Sequence, residues 1–219
     1  MSSRRSFIAA TASATVLTAF SARAQASTLR WVVPYPPGGG TDVLGRTLVE
    51  SMRGSLGMTI VVENKPGAST NIAAQDVARA APDGRTVLQA DNALMAFNEH
   101  LFKKLPVDPD KDFSYIGGIG KFPLALVVHP DFPAKTFKEF MAYVRANPGK
   151  VNYASPGNGS PHHLAMEMFK NRTRTFLVHI PYRGAAPAMQ DVIAGQVPVM
   201  FLDLASGLPI MQSGKVRVL

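Results

Sequence analysis

The chain has no cysteine, so no disulfide supports it and its stability has to come from burial. It has no Lys/Arg block, although its formal net charge is +8. A mild, spread positive charge attracts small anions weakly and leaves no nucleic-acid footprint. Beyond residue 26 no apolar run is long enough to cross a bilayer. A nucleophile elbow, a zinc signature and a catalytic carboxylate pair are also lacking. Nothing therefore argues for catalysis, and neither a metal nor a cofactor is expected. His162 and His163 are adjacent on a predicted helix, so they face different ways and make a poor metal pair.

What is present begins with an export signal over residues 1–26. Arg4 and Arg5 open it, Phe7 to Ala22 forms its apolar core, and Ala22-Arg23-Ala24 and Ala24-Gln25-Ala26 are small-x-small cleavage sites. That core is 16 residues long and holds several serines and threonines, too short and too polar for a membrane span. The run Ser3 to Ile8 resembles the twin-arginine export consensus, and a general secretory signal with two arginines fits the same residues. Either route takes the protein out of the cytoplasm.

The next stretch organises the rest. Leu29 to Val33 reads as a strand, Pro34 to Gly40 as a stiff turn ending in three glycines, and Leu44, Leu48, Met52 and Leu56 as one face of a helix. Thr41 or Asp42 is suited to cap that helix. Bare backbone at a helix N-terminus favours a carboxylate or phosphate. A tight βα turn without a ligand uses the same residues.

The pattern then repeats. Strands are predicted at Thr59 to Glu63 (as a buried strand) and Thr86 to Gln89, with helices from Asn71 as cap and near Leu94 to Phe102. This alternation specifies a parallel sheet whose ligand site lies at the carboxyl ends of its strands, where Gly38, Gly39, Gly40 and Asn92 fall. Phe113 to Val128 reads as two extended segments leaving one domain for another, with the boundary near Phe122. Thr136 and Glu139 form a capping box for the next helix. Val151 to Ala154 then gives a strand, Ser155 to Ser160 a second glycine-rich loop, and Pro161 a first helical residue. A strand at Phe176 to Ile180, a helix at Pro187 to Ala194 and a strand at Val197 to Leu202 complete a second βαβ set. Two symmetric glycine loops suggest a clamp, with Thr41, Asn158 and Ser160 suited to orient an anion as well as to cap and turn the chain, and Tyr35 and Tyr182 suited either to meet a carbon skeleton or to pack in the core.

Export signal, VVPYPPGGGTD (32–42), VVENKPGAST-N (61–71), PDG-T, DFSYIG (112–117), NYASPGNGSPHHLA (152–165), VHIPYRG (178–184) and GQVPVMFLDLAS (195–206) follow one another in this order. Over residues 30–219 the chain thereby resembles Bug-type extracytoplasmic solute-binding proteins of tripartite tricarboxylate transport systems. The resemblance implies a type II periplasmic-binding-protein fold, an α/β architecture of two lobes with mainly parallel sheets, over 27–122 and 123–219. It implies a periplasmic protein, monomeric when complete, that captures a small organic carboxylate and hands it to membrane components of a transporter. The ligand-binding residues it implies are Tyr35, Gly38, Gly39, Gly40, Thr41, Asp42, Asn92, Ser155, Gly157, Asn158, Gly159, Ser160 and Asp203. Where many relatives carry Phe-Asp-Asn, this chain has Phe201-Leu202-Asp203, so Asp203 either receives a ligand ammonium or begins a helix. Relatives also continue past Leu219. The expectation is a chain whose C-terminal part is missing and whose first lobe is incomplete, hence less stable, self-associating and weak in binding.

Two readings from other classes compete. An exported nucleotide- or dinucleotide-dependent enzyme is suggested by Gly40 to Thr47, which has P-loop spacing with Arg46 in place of lysine, and by Glu63 after the second strand. Val43 stands where the last glycine of a dinucleotide fingerprint belongs. A ligand-sensing partner of a signalling receptor uses the same grip on a different partner.

Overall fold

The computed structural model describes residues 28–219; the export signal expected over residues 1–26 lies outside them. The strands form two separate sheets. The first is parallel, in order β2 (Thr59–Asn64), β1 (Thr28–Val33), β3 (Thr86–Leu88). The second is mixed, in order β6 (Val178–Pro181), β5 (Asn152–Ser155), β7 (Val199–Asp203), β4 (Leu124–Val128), β8 (Arg217–Val218). Here β5 runs parallel to β6 and β7, while β4 runs antiparallel to both β7 and β8. The expected mainly parallel character thus holds in the first sheet and in half of the second.

The helices form where the apolar stripes fall. Helix α1 (Gly40–Leu56) buries Val49 on β1 and β2 and ends at Gly57, whose φ of 58° is the left-handed turn that glycine permits. Next come α2 (Asn71–Ala78), a π-helical turn (Ala93–Phe97), α3 (Asn98–Leu101) and α4 (Pro109–Asp112), the last capped by Asp108 accepting from the Asp110 N–H at 3.2 Å. Helix α5 (Phe137–Ala146) starts on the capping box: Thr136 Oγ1 accepts from the Glu139 N–H, and Glu139 accepts from the Lys135 N–H at 2.7 Å. Helices α6 (Pro161–Thr173), α7 (Ala185–Ile193) and α8 (Leu204–Gln212) follow.

Alternate strand residues serve opposite faces. In the second sheet Leu126, Val128, Tyr153 and Val199 pack with Phe140, Val144 and Met166 on one side. Val127, Ala154, Met200 and Leu202 pack with Ala188 and Val192 on the other. Two expectations fail here. The β2 strand is an edge rather than buried, leaving Val61 42% exposed. Of the stretch 113–128 only Leu124–Val128 joins a sheet, because β4 finds its partners in β7 and β8, far along the chain, while Tyr115 and Ile116 stay exposed. Among the described residues no helix is long and apolar enough to cross a membrane.

Candidate ligand-binding site

Strand β1 delivers the chain to Pro34, and the turn that follows sets three peptide units at the start of α1. Gly39 takes the N-cap position with no side-chain cap, so neither Thr41 nor Asp42 caps as expected. Asp42 instead accepts the Gly38 N–H at 3.0 Å from within the first turn, and also Asn64 Nδ2 at 2.8 Å and Arg46 Nε at 3.0 Å. Burial opposes its charge, but these donors outweigh that and hold its carboxyl below the ordinary range. Asp42 is thereby neutralised and ties the loop down. Among the described residues the N–H groups of Gly39, Gly40 and Thr41 meet no acceptor. Three free amides at the positive end of a 17-residue helix form a donor set for an anion.

The second glycine loop is built differently, because most of its amides are already used. Ser155 is fully buried; its Oγ accepts from the Gly157 N–H at 3.1 Å and lies 2.6 Å from His179 Nε2. The Gly159 N–H donates to His163 Nδ1, and the Ser160 N–H to the Gly157 carbonyl. Ser160 Oγ caps α6 by accepting from the His163 N–H. Burial holds the His179 imidazole down at about 4, in a stack with His163 whose centroid is 4.1 Å away.

Each loop packs on the opposite half of the molecule. Gly38 and Gly39 lie against Ala186 and Ala185, and Pro36 against Gly184. Asp203 lies against Gly40 so tightly that an added Cβ would overlap its Oδ1. In return Ser69 Oγ donates to the Asn158 carbonyl at 2.8 Å, and Leu101 lies against Gly159. At this junction Tyr35 donates from its hydroxyl to Asp91 Oδ2 at 2.7 Å; burial pushes Tyr35 well up and Asp91 up. Asp203 is fully buried and caps α8 by accepting from the Ser206 N–H at 2.8 Å. Burial works against its charge, yet His162 and Ser206 hold it below the ordinary range. His162 Nε2 stands 3.5 Å from Asp203 Oδ2.

Tyr35, Gly38, Gly39, Gly40, Thr41, Asp42, Asp203, Gly157, Gly159 and Ser160 therefore lie in or beside one junction. Asn158 reaches it through its carbonyl, while its side chain, like that of Asn92, is exposed. Tyr182 donates to Asp191 at 2.7 Å and packs in the second core, and Asp91 rather than Asn92 points inward. The nucleotide features are also accounted for: Arg46 pairs with Asp42, and Glu63 with Arg30 at 2.8 Å. The sequence reading gave His162 and Asn64 no part in the site. His162 carried a signal in its place directly after a glycine loop and Pro161. Asn64 carried none, since its contact depends on where β2 pairs. Two cavities of about 420 Å³ lie elsewhere, one beside His129, Tyr143 and Lys150, the other beside Leu94, Phe102 and Val107.

Comparison with known proteins gives a consistent family. The model of the tripartite tricarboxylate transporter family receptor matches residues 44–219. Protein BugT of Bordetella pertussis is 34% identical over 192 residues, covering 87% of this chain and 59% of the relative. Among solved structures, Rpa4515 of R. palustris with adipate has a TM-score of 0.85 at 31% identity, over 88% of this chain and 64% of that one. MatC from Rhodopseudomonas palustris with bound malate has a TM-score of 0.81 at 33% identity, over 87% of this chain and 65% of the other. The chain spans less than two thirds of the length of each of these relatives. With the family model matching most of the chain and the fold shared with binding proteins, the chain belongs to the tripartite tricarboxylate transporter receptor family, in its Bug-type group.

Proposed function

We propose that this chain is a periplasmic solute-binding protein whose two lobes, 27–122 and 123–219, close on a small organic carboxylate. It passes that ligand to the membrane components of a tripartite transporter. The observation that carries this reading is the set of unpaired N–H groups at Gly39, Gly40 and Thr41, at the N-terminus of α1 and against the opposite half of the molecule. Each amide donates to a carboxylate oxygen without having to break a bond within the chain, and charge-assisted bonds of this kind are the stronger ones. Ionised Asp42 nearby does not spoil the site, because Arg46 balances it. The relatives whose structures hold adipate and malate support a carboxylate as the occupant.

A thermal-shift screen of small carboxylates against ATP and NAD tests this reading. A carboxylate at 100 times its Kd adds about 2.7 kcal/mol to stability, and a nucleotide adds nothing. A shift with ATP or NAD and with no carboxylate overturns the proposal.

A further inference from the structure

His162 is the second residue of α6 and is 8% exposed, yet neither ring nitrogen has a hydrogen-bond partner among the described residues. Buried polar atoms are nearly always paired in folded proteins, so this ring awaits a partner. Its surroundings fix how it presents itself. Nε2 lies 3.5 Å from the Asp203 carboxylate, which draws the ring proton to that nitrogen and leaves the buried Nδ1 with an unused lone pair. Asp203 touches both His162 and Gly40, so the ring stands beside the free amides of the first glycine loop. The Asp203 carboxylate favours a hydrogen-bond donor there and disfavours a second anion.

We propose that His162 determines specificity by accepting, through Nδ1, from a hydroxyl or ammonium on the carbon next to the gripped carboxylate. The ligand class is then a 2-hydroxy or 2-amino acid. This rests on the carboxylate-binding reading above and narrows it. An acid without that substituent leaves Nδ1 buried and unpaired, and sites of this design reject such analogues strongly.

Malate, aspartate and succinate share one four-carbon skeleton and differ only at carbon 2, so calorimetry with all three isolates the effect. The wild-type chain binds malate or aspartate at least about tenfold more tightly than succinate; which of the two binds better tells hydroxyl from ammonium. In His162→Leu the ratio to succinate falls to near one. In His162→Asn, whose side-chain oxygen stands close to the position of Nδ1, at least a third of the ratio survives, which keeps the test open if the leucine variant fails to fold. Equal wild-type affinity for all three acids overturns the inference and leaves the carboxylate reading standing, as does a full ratio in His162→Leu. No binding of any of them overturns both.

Discussion

At Gly40 the backbone of one half touches the carboxylate of Asp203 in the other, and no side chain fits between them. Because Ser206 pins Asp203 through its N–H and hydroxyl, the carboxylate cannot swing away at no cost. Gly40→Ala is therefore expected to destabilise the folded state by about 1–3 kcal/mol, as overpacking does. Its Tm should fall and its carboxylate affinity with it. An unchanged Tm would show that the two halves stand further apart. A second residue-scale prediction concerns pH. His179 is neutral when folded, held at about 4 by burial and by His163 beside it, against an ordinary value near 6.5. Its contribution is fully present above 6.5, where both states are neutral. It is lost as pH falls from 6.5 towards 4, where only the unfolded chain takes up the proton. His179→Phe removes that loss, so the Tm gap between wild type and variant should narrow from pH 7 to pH 4. A constant gap contradicts this account.

At the scale of elements, the turn before α2 sets three consecutive non-glycine residues at positive φ. Ala68, Ser69 and Thr70 take φ values of 47°, 50° and 75°, a region that side chains with a Cβ seldom occupy. Thr70 is β-branched and its buried hydroxyl has no partner among the described residues. The turn holds because Asn98 Nδ2 donates to the Ser69 carbonyl at 2.7 Å and Ser69 Oγ reaches Asn158. Thr70→Gly should relieve roughly 1 kcal/mol and raise the Tm by about 2–4 °C. A lower Tm would mean that the threonine methyl matters more than the backbone.

No glycine marks the strain at Ala68, Ser69 and Thr70, so the sequence is silent about it. By contrast Gly57, Pro161 and the Thr136–Glu139 box announce their helix boundaries, since those signals are local in the chain. The place of β4 between β7 and β8 is illegible because strand pairing is set by partners 71 to 91 residues away. The candidate site divides in the same way. The glycine loops were readable. Which amides stay free was not, because Asp42, Ser155 and His163 decide it through contacts made only in the fold.

For the whole molecule, the two sheets meet through exchanged contacts, with the first glycine loop on the α7 start and the second on Ser69 and Leu101. Helix α1 also packs on α8 across the same junction. Such an arrangement lets one ligand contact both halves at once, so occupancy and closure are coupled. Removing the bond that Ser69 makes across the junction, with Ser69→Ala, should weaken a carboxylate by about 0.5–1.5 kcal/mol, read as a change in Kd by calorimetry. Unaltered affinity would place that bond outside the closed state.

The claim on which everything depends is that the amides of Gly39, Gly40 and Thr41 hold the carboxylate. Titration of the isotope-labelled chain with malate, followed by NMR of the backbone amides, addresses it directly. The account predicts that the largest downfield proton shifts occur at Gly39, Gly40 and Thr41, and saturate together. Unmoved signals at these three residues, with shifts at His129, Tyr143 and Lys150 around the distant cavity instead, would contradict it.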